Sequence, residues 1–129
     1  AAALVMYAVE FVIYGVLTPP LVYMELARLR VEDMPANAWK MPFGVVGPLV
    51  WAVGLSAANL WRGSRGLLAG ATTGFVISLL FWIPARFYEW AYGQTGLAFY
   101  ALDAAHFLIV GAIGGAVLAA WPRPRLQAA

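Results

Sequence analysis

The sequence has 129 residues and no cysteine; 64% of its residues are hydrophobic and only 11% are charged. A soluble domain is about 45–50% apolar, and a chain of this length buries only about two-thirds of its unfolded surface. So many apolar side chains could not be covered in water, and we expect the surrounding solvent to be lipid. The lack of cysteine excludes disulfides and thiolate chemistry. A net charge of +2 and the low charged fraction exclude a disordered or nucleic-acid-binding chain.

Four apolar segments are long enough to cross a bilayer, for which a helix needs about 20 residues. In chain order they are 4–24, 41–61, 66–85 and 104–122. The first contains Glu10 and the pair Pro19-Pro20, whereas the other three contain no Asp, Glu, Lys or Arg. The connections between them are too short for a soluble domain. We therefore predict a single all-α membrane domain, 1–129, with four transmembrane helices.

The orientation of the chain depends on its basic residues. An even number of spans places both termini on one side of the membrane, which we call side A. Basic residues divide equally between Arg62, Arg65, Arg123 and Arg125 on side A and Arg28, Arg30, Lys40 and Arg86 on side B. The positive-inside rule counts such residues in short loops, so the short turn with Arg62 and Arg65 favours side A in the cytoplasm of a prokaryotic cell. No cleaved signal peptide is expected, because the first segment lacks a basic start.

An offset of 64 residues aligns the sequence with itself at twelve identical positions, among them Pro20 with Pro84 and Glu25 with Glu89. This pattern predicts two tandem helical hairpins, 1–64 and 65–129. Such hairpins would be related by a pseudo-twofold axis along the membrane normal, as in some transporters. Chance similarity among apolar segments is the alternative explanation.

Glycines recur at every fourth position on the last two predicted helices. They are Gly66, Gly70 and Gly74 on the third helix and Gly111 and Gly115 on the fourth. This spacing places glycines on one helix face, where another helix backbone can approach closely. We expect these stripes to be helix contacts, either within the chain or between two copies.

The repeated prolines each precede a carboxylate by five residues. Pro20 is followed by Glu25, and Pro84 by Glu89. A proline inside a helix removes a hydrogen bond and forces a bend. We therefore predict kinks in the first and third helices, with both acids near the pseudo-axis on side B.

A candidate site on side B consists of Glu25, Glu89, Asp103 and His106. Carboxylates with a histidine could bind a divalent metal, or act as acid and base on a lipid-soluble substrate. The alternative is structural. Arg28 and Arg86 each lie three residues from one of the glutamates, so they could form ion pairs without function. His106, the single histidine, cannot supply both axial ligands of a haem, and we predict no cofactor.

Glu10 lies inside the first apolar segment with no basic residue within one helical turn. An ionisable side chain inside a membrane is by default a functional candidate. It could bind a proton, bind a cation, or contact an arginine of a partner. Alternatively, the helix begins later, the carboxyl reaches side A, or the carboxyl stays protonated beside Tyr7 and Tyr14, which share its helix face.

Segments 66–74 and 102–121, with their glycines and apolar residues, resemble the last two spans of small four-span bacterial membrane proteins of unknown function. That resemblance implies a fold class and no activity. Glu10 is also similar in position to the membrane-embedded glutamate of small multidrug-resistance transporters, although the Pro19-Pro20 pair departs from that family's pattern.

The short connections leave no soluble catalytic surface, so the sequence predicts an assembly or accessory subunit of a homo-oligomer or larger membrane complex. The expected partners are the bilayer and either a second copy of the chain or other membrane subunits, and no nucleic acid. A proton- or cation-coupled transporter or channel, working as an oligomer through Glu10, is the first alternative. An intramembrane enzyme using the candidate site on side B is the second.

Overall fold

A computed structural model describes residues 1–30, 32, 35, 38–93 and 95–121, without the side chain of Met41. Within these residues the chain is helical and has no strand. The helices are α1 Ala2–Leu17, α2 Pro20–Leu26, α3 Ala38–Arg62, α4 Leu67–Tyr92 and α5 Leu97–Ala120. Helices α3, α4 and α5 are each long and apolar enough to cross a bilayer, and α1 with α2 gives a fourth candidate if this bent pair forms one span. The chain is thus all-helical and suited to a membrane. The end of the last predicted segment and the predicted side A residues Arg123 and Arg125 lie outside the described residues.

The first helix does not continue to residue 24 as predicted. Helix α1 ends at Leu17, and the chain turns by 96° into the short helix α2. Pro19 and Pro20 explain the break, because two successive residues lack the backbone N–H of a helix and Pro20 opens the new helix at its start. The 10 α-helical and 6 π-helical residues of α1 cover about 24 Å at about 1.5 Å each.

Helix α4 passes its proline without a break. A π-helical stretch, Ser78–Trp82, comes directly before the segment Ile83–Tyr92, in which Pro84 lies near the start. Widened π-type turns allow a helix to continue where a backbone donor is missing. The predicted kink at Pro84 is therefore an irregular turn within one continuous helix, because a single proline removes one donor where Pro19-Pro20 removes two.

Helix α5 is the centre of the fold, and α1, α3 and α4 all pack against it. The core consists of Met6 and Ile13 of α1, Trp51 and Leu55 of α3, and Val110 of α5. Helix α1 runs antiparallel to α5, since Met6 lies close to Gly114 while Tyr14 reaches Asp103 near the start of α5. Most large apolar side chains outside this core are exposed, as expected where acyl chains replace water.

Helices α4 and α5 approach each other through four of the predicted glycines. A Cβ built on Gly74 would overlap the carbonyl of Gly111, and one built on Gly70 would overlap the carbonyl of Gly115. These glycines therefore contact one another within the chain, and their backbones approach too closely for any side chain.

Two glycines depart from the predicted stripes. Gly66 lies before α4 with a φ of 82° and has nothing within 4 Å of a built Cβ. Its amide donates instead to the carbonyl of Ala119 at 3.2 Å. Gly66 thus forms a left-handed turn, which glycine adopts readily, and is bonded to the end of α5, but it does not share the close backbone packing of the other stripe glycines. Gly114, outside the predicted stripe, faces Met6 of α1 and Leu55 of α3.

Candidate functional site

A group of polar side chains, with Asp103 and His106 buried at its centre, lies between α1, α4 and α5, and we call it the polar cluster. It consists of Glu10, Tyr14, Arg86, Glu89, Asp103 and His106. Sequence reasoning had assigned these residues to two separate sites, one around Glu10 and one on side B. The fold joins them because antiparallel packing brings the α1 face with Glu10 and Tyr14 against the α5 face with Asp103 and His106.

Asp103 is the most strongly bonded member of the polar cluster. The Tyr14 hydroxyl donates to its Oδ1 at 2.6 Å, and Arg86 Nε donates to its Oδ2 at 2.5 Å. Arg86 also forms the predicted ion pair with Glu89. Only 8% of the Asp103 side chain is exposed, so its charge is balanced by Arg86 and not by water.

His106 lies one turn further along α5, between two carboxylates. Its Nδ1 is 3.8 Å from Asp103 Oδ1, and its Nε2 is 3.6 Å from Glu10 Oε1. Both distances exceed the usual hydrogen-bond range of about 2.7–3.2 Å. Within the described residues, neither buried ring nitrogen has a hydrogen-bond partner. A shift of about 1 Å would bring each nitrogen into hydrogen-bond range of a carboxylate oxygen.

Aromatic rings surround the imidazole. The ring centroid of His106 is 4.6 Å from that of Tyr14, 4.9 Å from that of Phe107 and 6.5 Å from that of Trp51. Trp82 of α4 stacks on Phe107 with centroids 5.1 Å apart. This apolar wall leaves His106 only 5% exposed, which strengthens its electrostatic interaction with the carboxylates.

Helix α2 contributes Tyr23 to this region. The Tyr23 ring centroid lies 5.0 Å from that of Tyr14 and 5.9 Å from that of Phe99. Glu25 is exposed. In the described part of the chain, no ion pair or side-chain hydrogen bond joins it to Arg28 or to the polar cluster. The turn at Pro19-Pro20 carries α2, and Glu25 with it, off the axis of α1, and the predicted approach of Glu25 to Glu89 stays a prediction.

A metal site at the predicted side B residues is not formed. Among the residues that the structure describes, no three His, Asp or Glu side chains are grouped to hold a metal ion. The guanidinium of Arg86 bonds both Asp103 and Glu89. A fixed positive charge thus occupies the position that a cation would need.

Two polar interactions were missed by sequence reasoning. Tyr14 was considered only as a neighbour of Glu10, yet its hydroxyl donates to Asp103. Asn59 was not singled out, although it is buried and its Nδ2 donates to the carbonyl of Gly115 at 3.1 Å. The available signal was spacing: Glu10 and Tyr14 are four apart, and Asp103 and His106 three apart, so each pair shares a helix face.

Comparison of the chain with protein-family models, with curated proteins and with solved structures finds no match. The resemblance to four-span bacterial proteins stays a prediction, and the functional interpretation depends on the geometry of the polar cluster.

Proposed function

We propose that the chain is an integral membrane protein that binds and transfers a proton through Glu10, His106 and Asp103. The observation that carries this proposal is the buried imidazole of His106, which has a carboxylate oxygen 3.6 Å from one nitrogen and another 3.8 Å from the other. Ionisable groups in such surroundings are costly and typically mark proton or ion pathways.

The hydrogen-bonding capacity of this triad favours one added proton. A neutral imidazole has one nitrogen that donates a hydrogen bond and one that only accepts. If both carboxylates are ionised, one of them therefore faces the accepting nitrogen and has no hydrogen bond from the ring. An added proton on His106 lets the ring donate to both carboxylates. An added proton on Glu10 lets that acid donate to the ring while the ring donates to Asp103. These two forms differ only in which side of the Glu10–His106 contact holds the proton.

Charge balance favours the same state. With Asp103 and Glu89 ionised and Arg86 protonated, the added proton reduces the net negative charge of the polar cluster, in which Arg86 pairs with both Asp103 and Glu89. Without it, Glu10 adds a further negative charge that Arg86 does not balance, in a site where an unpaired charge is unfavourable. The polar cluster therefore has a physical reason to take up a proton.

The cluster also offers a direction for transfer. Glu10 lies about 12 Å along α1 at about 1.5 Å per residue, and its side chain is 20% exposed. From Glu10 the proton-accepting groups continue through His106 to Asp103, and the guanidinium of Arg86 links Asp103 to Glu89, whose side chain is 48% exposed. A proton leaving His106 for Asp103 would thus move toward the end of the bundle that holds the α4–α5 connection, which is the predicted side B.

The proposal includes four spans, with α1 crossing the membrane and α2 lying along side B. It is supported by the antiparallel packing of α1 on α5. The tandem repeat, also part of the proposal, is supported by the π-helical stretches Val12–Leu17 and Ser78–Trp82. Each stretch precedes one of the two repeated prolines, and an offset of 64 residues makes them overlap.

The other functions suggested by the sequence have less support. The glycine stripes are used within the chain, so they no longer favour association of two copies. The enzyme alternative has less support because the exposed Glu25 forms no ion pair or side-chain hydrogen bond with the polar cluster in the described part of the chain. The role as a subunit of a larger assembly stays a prediction, and a proton-transferring protein could also have that role.

Proton flux into vesicles tests the proposal. The full chain is reconstituted into liposomes containing a pH-sensitive dye, and a pH gradient is imposed. We expect the wild type to dissipate the gradient and Glu10→Gln to reduce the rate at least about tenfold, because an amide keeps the shape but cannot exchange a proton in this way. His106→Asn should have the same effect.

Glu25→Gln is the matched control, since this exposed acid lies outside the polar cluster, and its flux should equal that of the wild type. The proposal fails if the wild type is no faster than protein-free vesicles, or if Glu10→Gln keeps the full rate.

A further inference from the structure

A lateral cleft of about 420 Å³ opens between α3 and α4, near the α3–α4 turn on the predicted side A. It is lined by Ala58, Trp61, Arg62, Thr73, Val76 and Ile77. The lining is apolar except at one end, where Arg62 and Thr73 lie. Such a site is shaped for a molecule with an apolar body and one polar end.

Arg62 is held in place at the polar end of the cleft. Its Nη1 donates to Thr73 Oγ1 at 3.1 Å. The buried Thr73 hydroxyl in turn donates to the carbonyl of Ala69 at 2.9 Å. Ser64 Oγ lies 2.7 Å from the hydroxyl oxygen of Thr73. An arginine has five N–H donors, and within the described chain Thr73 is the hydrogen-bond acceptor of Arg62. The guanidinium is thus fixed by one bond and has donors left for a ligand.

The charged residues of the α3–α4 turn beside the cleft, Arg62 and Arg65, are both basic. The sequence from 34 to 88 contains no Asp or Glu, so neither Arg62 nor Arg65 has an acidic neighbour in this part of the chain. Arg62 lies in the last turn of α3. The adjacent Trp61 is 94% exposed, and exposed tryptophans at span ends prefer the headgroup region. The polar end of the cleft is therefore at headgroup depth and complementary to an anion.

We propose that this cleft binds one anionic phospholipid. The guanidinium of Arg62 bonds the phosphate, a geometry that arginine favours because its donors form a planar fork. An acyl chain lies against Ala58, Val76 and Ile77. The site depends on the membrane location of the chain and is independent of proton transfer at the polar cluster.

Native mass spectrometry of the full chain in detergent tests this site. Dissociation constants are measured for phosphatidylglycerol and for phosphatidylcholine with identical acyl chains. We expect the wild type to bind one phosphatidylglycerol about tenfold more tightly, the factor that one charge-assisted hydrogen bond can supply. Arg62→Gln should reduce that affinity to the level of phosphatidylcholine.

Two further variants locate the site. Arg65→Gln removes an exposed charge in the α3–α4 turn that does not line the cleft, so the lipid preference should persist. Ala58→Phe fills the cleft and keeps Arg62, so it should weaken binding of both lipids. Helical content and melting of each variant are followed by circular dichroism, so that loss of the fold is not counted as loss of the site.

Three results would overturn the proposal. The wild type could bind both lipids equally, which would remove the headgroup preference. Arg65→Gln and Arg62→Gln could cause the same loss, which would indicate diffuse surface charge. Finally, Ala58→Phe could bind phosphatidylglycerol like the wild type, which would leave the apolar cleft without a role.

Discussion

At the residue scale, Tyr14 and His106 face the same oxygen of Asp103. The Tyr14 hydroxyl donates to Asp103 Oδ1 at 2.6 Å, and His106 Nδ1 lies 3.8 Å from that oxygen. A hydrogen bond from a hydroxyl to a buried carboxylate is short and strong. Tyr14 therefore fixes Asp103 in place beside the imidazole, and the second lone pair of Oδ1 can accept from His106.

Replacement of Tyr14 by Phe removes this hydroxyl and keeps the ring against His106. We expect the free energy of unfolding to fall by about 1–3 kcal/mol, because a buried carboxylate loses one of its two hydrogen-bond donors. Unfolding in mixed detergent, followed by circular dichroism, measures the change. Tyr7→Phe is the control, since Tyr7 is on the same helix but 45% exposed. Equal effects of the two substitutions would contradict a stabilising role of the Tyr14–Asp103 bond.

The ionisable residues of the polar cluster and the Arg86–Glu89 pair could be read from the sequence, but the contacts between α1 and α5 could not. Each of Glu10, Asp103 and His106 was recognisable as an ionisable group near or within an apolar segment. Their meeting depends on how α1 is rotated and shifted against α5. That arrangement is set by side-chain packing, such as Met6 against Gly114, which a periodic pattern in one helix does not contain.

At the scale of helices, the α4–α5 contact depends on glycines, which have no side chain to separate the two backbones. The carbonyl of Gly111 occupies the space that a Cβ on Gly74 would need. Because packing, and not hydrophobicity, holds helices together in lipid, this close approach should be a principal stabilising contact of the bundle.

Gly74→Ala tests that contact. The added methyl must push α4 and α5 apart, and we expect a loss of about 1–3 kcal/mol in the free energy of unfolding, as for other overpacked cores. Gly47→Ala in α3 is the matched control, since nothing lies within 4 Å of its Cβ position and alanine favours a helix more than glycine does. The same detergent unfolding assay applies. A Gly74→Ala protein as stable as Gly47→Ala would show that the helices can separate without loss.

The element boundaries show where periodicity and proline spacing are sufficient and where they are not. Apolar length correctly indicated α3, α4 and α5 as helices suited to a membrane. The effects of Pro20 and Pro84 differ, because Pro20 follows a second proline and Pro84 does not. One additional missing donor changes an irregular turn into a 96° break.

At the scale of the whole molecule, the direction of proton transfer requires the polar cluster to connect two sides of a membrane. Helix α1 is shorter than a typical span, and its about 24 Å of helix must cover most of a hydrocarbon layer of about 30 Å. The antiparallel packing of α1 on α5 places Ala1 at the end of the bundle that also carries the turn with Arg65. Thr95 lies at the opposite end, between α4 and α5.

The lack of cysteine in the sequence makes single-cysteine labelling a direct test of this topology. We expect Ala1→Cys and Arg65→Cys to react with a membrane-impermeant maleimide from one face of the membrane, and Thr95→Cys from the other face. Labelling intact cells and inverted vesicles in parallel makes the comparison independent of which face is cytoplasmic. Reaction of Ala1→Cys together with Thr95→Cys would mean that α1 enters and leaves on one side. Glu10 would then have no access to the opposite side through its own helix, and a transmembrane proton route through His106 would lose its entrance.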